Sequence, residues 1–496
     1  MSEFDGAVLF KEWLPDQPEL NNPGLIEALN VIPVAGTYKS FAPLQTSGNA
    51  LPQRPLGAFM GNANAPSGSR HDLYAAYVAT AISFSRFDSS ALSWTTLGEL
   101  STTGALGIYD DISFAQFDDI VLSTSVAFSP RQHTLGAASA FTALRLSGDT
   151  IAPAARIGVV NRFVVIGTVV GVAPAYVRWS AIDDITNWPT PNSATAIATQ
   201  SGEQYLDDFY GEVTGIASGD QYGLIFQVNA ITRMTYVGGS VVFQFDKIDR
   251  VHGAMYPKSI VRVGSLVYFA SVDGFYVTDG VSVKPIGKNK IDAYFRSKIK
   301  TTSGTSTARF QMAGVYDYIN DLIIWAIPTS TSTDFRPNEL LIYSPSDDRW
   351  THANQDCLFP VQIGPSAYGD SGEQTMTSSS AVYAFDSSYK VGQFSGTPGT
   401  AIFTTSETEL NPGGRALVQG VKPLVDVTAN ALTVAVGARN DRTSAVNYTS
   451  EVTANSRSGF CNFRSDARYH RARLTIAGTF NAAQGLEYEA VPSGYI

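Results

Sequence analysis

Short apolar runs separated by Gly- and Asp-bearing turns dominate the chain from Leu73 onward, and the alternation within them is that of strands. The clearest unit runs VTGIA (213–217), the turn GDQYG, LIFQV (224–228), ITRMTYV (231–237), a Gly238-Gly239 turn and VVFQFDKI (241–248). Four short strands with tight connections predict one meandering antiparallel sheet. The next unit repeats the plan as SIVRVG, LVYFAS, an Asp273-Gly274 turn, FYVTDG and VSVKPIG, and a third contains MAGVYDY, DLIIWAIP, ELLIYS and RWTH, ending at His352. Upstream, ISFAQFDDIVLSTS (112–125) and IGVVNRFVVIG (157–167) followed by YVRWS open in the same way. Comparable starts recur at about 45 to 55 residues, the spacing of propeller blades. A sheet of this size cannot bury both faces by itself, so successive units must stack around an axis. Counting an opening unit near Leu73 to Leu97 and a closing one near Ala381 to Phe394, the pattern predicts an all-β β-propeller of about six four-stranded blades.

The flanks read differently. Residues 1–70 are dense in Pro, Asn and Gly, with extended pieces such as NVIPVAGTYKSF (30–41), and predict an N-terminal arm lying on other structure. Residues 71–398 form the propeller, and beyond Gly399 the turn spacing shifts. Runs such as ALVQGVKPLVDV, ALTVAVGAR, GFCNF, YHRARLTIAG and GLEYEAV predict a small C-terminal β-sandwich or platform over 399–496. The best helix signal is NKIDAYFRSKIK (289–300), where Ile291, Phe295 and Ile299 share a face and Asn289 is placed to cap.

Composition narrows the function. Charged residues are 16% of the 496, below the roughly 25% of an average globular protein, which favours a surface partly consumed by subunit contacts. The net charge of -10 with no long basic run argues against tight wrapping of nucleic acid. An acidic wall past which DNA slides remains compatible with it. The two cysteines, Cys357 and Cys461, form neither a disulfide framework nor a metal motif. The N-terminus carries Glu3, Asp5 and Glu12 and lacks the basic-then-apolar order of a signal peptide, and FVVIGTVVGVAP (163–174) is too short to span a bilayer. These features predict a chain made and folded in a cytoplasm.

Candidate chemistry is sparse. The doublets Asp110-Asp111, Asp118-Asp119, Asp183-Asp184, Asp207-Asp208 and Asp347-Asp348 fit calcium ligation or an acid/base pair, but each sits between strands, where Asp is favoured for bonding turn backbone. His71, His133, His252, His352 and His470 have no ligand spacing, and no nucleophile elbow or phosphate loop occurs. Basic residues cluster at Lys284 to Lys300 and at Arg464 to Arg473, where phosphate contact competes with ion-paired packing. Trp179, Trp188, Trp325 and Trp350 fit core packing better than sugar stacking. No catalytic, cofactor-binding or metal-ligating residue is assigned, and no cofactor is expected.

The run VRWSAIDDITNWPT (177–190), with VTGIASGDQYGLIFQVNAITRMTYVGG and VVFQFDKI after it, resembles the tail hub or nozzle proteins of short-tailed bacteriophages, the tail tubular or DNA-stabilisation family. NNPGLIEALNVIPVAGTYKSF, SFAQFDDIVLSTS and DGFYVTDGVSVKPIGKNKIDAYF look similar to that family as well, and RYHRARLTIAG and GLEYEA extend the likeness toward the C-terminus. The resemblance implies a non-enzymatic virion protein of the tail, a homohexamer in the family, forming a ring around a DNA channel for genome retention and ejection. It implies portal and adaptor ring proteins on one side and a distal needle, spike or fibres on the other. Some relatives are much longer, which puts extra platform or tip elements in doubt. The alternative from a different class is a carbohydrate-binding or glycoside-hydrolysing propeller, which calls for an open axial pocket with two or more carboxylates and an exposed Trp.

Overall fold

A computed structural model describes residues 4–65, 68–100, 106–107, 110–145, 151–239, 241–300, 309–332, 334–362 and 382–495. The chain is an all-β propeller with a two-sheet C-terminal domain. Among the described residues six four-stranded sheets stand alone, and a seventh four-strand unit begins a larger sheet that runs on into the C-terminal domain. Numbered along the chain, the innermost strands of the blades are Pro55–Ala65, Ser113–Phe117, Ala154–Val160, Val213–Ala217, Val261–Val263, Ala313–Asp317 and Leu358–Gln362. Blade 1 therefore starts inside the segment expected as an arm.

What makes seven blades one object is that each strand run is apolar on both faces. In LIIWAI (322–327) of blade 6, Ile323, Trp325 and Ile327 pack toward blade 5, while Leu322, Ile324 and Ala326 pack toward blade 7. Among the described residues the buried hydrophobics divide into seven clusters, one at each junction between neighbouring blades, including the one between blades 7 and 1. Each fully buried Leu, Ile or Phe contributes roughly 1.5–3 kcal/mol, so the stacking of blades carries most of the stabilisation. Small residues let the inner strands converge: a Cβ on Gly215 would lie 2.2 Å from Ile260 Cδ1 in the next blade.

The ring is closed by the N-terminus. Leu44–Thr46 pairs antiparallel with Val391–Phe394 and supplies the outer strand of blade 7, and Thr46 Oγ1 donates to Asp386 Oδ2 at 2.9 Å. The rest of the arm is woven into the C-terminal domain. Phe4–Leu9 and the hairpin Val31–Val34/Thr37–Ser40 join the sheet of Gly414–Val425, Cys461–Ala467 and Ala483–Tyr495. Leu25–Leu29 lies between blade 6 and Thr400–Thr405, parallel to the first at Leu29 and His352 and antiparallel to the second.

The expected helix face is present. Helix α2 spans Asp292–Lys298 (α1 is the short Ala194–Thr199), and Ile291, Phe295 and Ile299 are all buried. Its cap differs from the expectation. Asn289 takes a left-handed φ of 61° ahead of the helix, and the first turn is capped from the arm instead. Asp16 accepts from Ala293 N and Tyr294 N, both at 2.7 Å.

Candidate functional site

The first strands of all seven blades enclose an axial cavity of about 620 Å³. Its polar end lies where those strands begin. There Asp111, Arg156 and Lys258, from the starts of blades 2, 3 and 5, converge: Lys258 Nζ stands 2.9 Å from Asp111 Oδ1, and Arg156 donates to Asp111 Oδ2. Lys258 also donates to Phe310 O at 3.0 Å and Leu56 O at 3.3 Å, and its ammonium sits 4.1 Å from the centre of the Phe359 ring. Arg309 pairs with Glu212, and Arg54 donates to Gln311 Oε1 at 2.6 Å.

Burial governs the charge states. It pulls the Lys258 ammonium down to about 8, with Asp111 opposing, and the Arg309 guanidinium down to about 10. It pushes the Asp111 carboxyl up, yet Lys258 and Arg156 outweigh this and hold it below the ordinary carboxylate range. Such perturbed groups in a cavity are what a functional centre shows, and also what a buried ion network shows. The geometry favours the network, because Arg156 and Lys258 already share Asp111 and bond backbone carbonyls.

The carbohydrate alternative requires different walls. Asp111 is the one carboxylate lining the cavity among the described residues, and no tryptophan lines it. Trp179, Trp188, Trp325 and Trp350 are buried in the junctions between blades.

The other sequence candidates disperse. Asp118 and Asp348 take left-handed turn positions in hairpins, Asp184 accepts from Thr186 N, and Asp207 accepts from Phe209 N at 3.0 Å. Asp118 and Asp183 both pair with Arg162. No group of three His, Cys, Asp or Glu able to hold a metal occurs among the described residues. His71 meets Asn62, His252 meets Asp249, and His352 meets Glu339. His133 and His470 are buried. Cys357 and Cys461 lie in separate core clusters. Within the basic segments, Lys290 pairs with Glu12 and Asp348, Arg468 with Glu409, and Arg471 with Glu19.

Sequence reasoning did not single out Arg156, Lys258 or Phe209. The first two carried a faint signal, since Asp111, Arg156 and Lys258 each stand within two residues ahead of an inner-strand apolar run. Phe209 is 85% exposed, the extreme among the large hydrophobics of the described residues. It rides on a 3-10 turn, Asp208–Tyr210, that is held from below: the buried Gln227 amide donates to Asp207 O at 2.9 Å and Gly211 O at 2.7 Å. Val170 and Val172, also exposed, lie in the neighbouring loop of blade 3, tied to this segment by Leu206 N to Ala175 O at 2.8 Å and Val213 N to Pro174 O at 3.0 Å. Tyr205, also exposed, has its ring 4.8 Å from that of Tyr176.

No family model matches the chain, and no curated protein matches it. Among solved structures, a chain in a crystal structure of a mitotic checkpoint complex aligns with a TM-score of 0.42 at 10% identity, over 73% of this chain and 97% of that one. No helix among the described residues is long and apolar enough to cross a membrane.

Proposed function

We propose that this chain is a structural subunit of a ring-shaped tail hub or nozzle of a short-tailed phage, made in the host cytoplasm and incorporated into the virion tail. The observation that carries the reading is the ordered set of phrases from NNPGLIEALN to VVFQFDKI and DGFYVTDGVSVKPIG, whose resemblance is to that family. The fold supports it by being self-contained on the inside while leaving some large hydrophobics, Phe209 above all, exposed on the outside. Asp111, Arg156 and Lys258 at the axis are bound to one another and to backbone carbonyls, while Phe209 faces solvent on a braced turn.

In this reading the DNA channel lies between subunits. The axial cavity of about 620 Å³ is of small-molecule size, in the ~300–1,000 Å³ range, and does not admit a duplex. A ring of chains each carrying a net charge of -10 offers passing phosphates little to adhere to, which keeps friction low during ejection. Portal or adaptor proteins would contact one rim and the distal needle, spike or fibres the other.

Electron microscopy of the purified chain, alone and mixed with the adaptor ring, tests this. Closed rings, six-fold as in the family, are expected in at least the mixture. A chain that stays monomeric in both, and is absent from any virion, would overturn the proposal. Turnover of a glycan panel would overturn it in favour of the carbohydrate reading.

A further inference from the structure

We infer that the axial cavity is a binding site for a small organic carboxylate, whose charged head meets Arg156 and whose apolar body fills the middle of the cavity. The inference goes beyond the ring reading, because a molecule held inside each propeller neither requires assembly nor prevents it.

Charge in the cavity wall does not balance. Among the described residues the ionised side chains lining it are Arg156, Lys258 and Arg262 against Asp111 alone. The acids close by are already engaged: Glu212 pairs with Arg309, and Asp334 is shared by Arg336 at 2.8 Å and Arg54 at 3.9 Å. Asp110 accepts from Gly107 N in its own loop at 2.6 Å. Two cations on one buried carboxylate leave a positive charge in a poorly solvated place, and a bound anion relieves it. The same crowding shows at Lys258, where burial pulls the ammonium down and the guanidiniums of Arg156 and Arg54 add to the fall.

Arg156 supplies the donors. Its side chain is 8% exposed, and it bonds the protein only through Nη1, to Asp111 and to Ala155 O at 3.0 Å. Nε and Nη2 have no acceptor among the described residues, and Nε is buried. Those two nitrogens form the edge of the guanidinium that takes a carboxylate in two parallel hydrogen bonds. Lys258 is occupied by Asp111 and by the carbonyls of Leu56 and Phe310, so it fixes Asp111 and leaves the ligand to Arg156.

The middle of the cavity is apolar. Phe59, Phe114, Ile216 and Ile260 line it from blades 1, 2, 4 and 5, and all four are only half-buried by the protein itself. The rings of Phe59 and Phe114 lie parallel, with centres 6.1 Å apart. At the far end the donors turn onto backbone, Gln116 to Asp118 O at 2.5 Å and Arg262 to Gly264 O at 3.0 Å. A charged fork at one end and apolar surface beside it select an anion with an apolar body over inorganic phosphate or a sugar.

Calorimetric titration of the full chain with sodium octanoate tests this. Saturable binding at a single site per chain is expected. Octanol and octylammonium share the tail and lack the anion, inorganic phosphate has the anion and lacks the tail, and each should bind about tenfold more weakly or worse. Arg156→Met should weaken octanoate by about tenfold or more, and Arg156→Lys nearly as much, because an ammonium keeps the charge and loses the fork. A diazirine-bearing alkyl carboxylate gives a readout on the wild type: irradiation should label peptides bearing Phe114, Ile216 or Ile260. Absence of octanoate binding, binding that either folded variant leaves unchanged, equal binding of octanol or phosphate, or label landing outside the inner strands would overturn the inference. None of these results touches the ring reading, and a chain that forms no rings leaves the carboxylate site standing.

Discussion

Asp292 is the residue whose environment most directly makes stability depend on pH. It begins helix α2 yet is buried, and burial, reinforced by Asp16 and Asp273, raises its carboxyl to about 7 against the opposing bond from Phe275 N. The folded state thus holds a proton there that the unfolded chain releases near pH 4. Its stabilising contribution is complete below the unfolded value and is lost as pH rises through the folded one, with a slope of at most about 1.4 kcal/mol per pH unit between pH 4 and 7. Asp292→Asn, which keeps an acceptor for Phe275 N, should flatten that slope and make the variant more stable than wild type at pH 8. Urea denaturation at pH 5 and 8 checks the sign, and a variant weaker at both would refute it. At the axis, the asymmetry of the charge network gives a second expectation. Asp111→Asn strands two buried cations and should cost about 3–5 kcal/mol, whereas Lys258→Met leaves the Asp111 to Arg156 pair intact and should cost clearly less. Equal losses in denaturant midpoint would mean that the two cations do not share one carboxylate.

At the scale of elements, the N-terminal arm acts as a set of splints. Asp16 caps helix α2 from a segment far away in sequence, so Asp16→Ala should destabilise by about 1–2 kcal/mol and raise amide exchange at Ala293 and Tyr294 in particular. Exchange that rises evenly over the whole chain would show a global loss instead of a lost cap. How far such elements can be read from sequence depends on what side chains they need. LIIWAI and the runs of blades 4 and 5 were legible because strands buried on both faces must be apolar throughout, with turns marking their ends. The inner strand of blade 1, PLGAFMGNANA, reads as loop because an axis-facing strand needs small residues: a Cβ on Gly57 would lie 2.3 Å from Ile112 O. The closing strand Leu44–Thr46 is too short to show a period, and only pairing with Val391–Phe394 reveals it. The axial network was illegible for another reason: Asp111, Arg156 and Lys258 come from three blades, and nothing in local sequence records that their strands share an axis. The turn role of most Asp doublets was legible because it depends on neighbours a few residues away.

For the molecule as a whole, the question is whether propeller and C-terminal domain melt as one body. Separate domains joined by a linker would give two transitions, but here the joint is made of strands and core. The largest buried cluster runs without a break from Tyr268 and Phe275 of blade 5, through Trp325 and Trp350 of blade 6, to Val434, Leu474 and Tyr488 of the C-terminal domain. Trp13 of the arm sits at the junction, stacked on His352 of blade 6 at 4.4 Å and edge-on to Tyr294 of helix α2 at 4.9 Å. One heat-capacity peak is therefore expected for the wild type, with calorimetric and van't Hoff enthalpies in agreement. Truncating Trp13 to Ala removes the ring that couples arm, helix and blade, at about 3–5 kcal/mol for a buried aromatic. Because that loss falls on the joint and not on either interior, it should broaden or split the peak and not merely shift it. A Trp13→Ala peak that moves down intact would mean that the shared core alone enforces cooperativity. In that case the arm's strands, and not its tryptophan, would be the coupling to sever next.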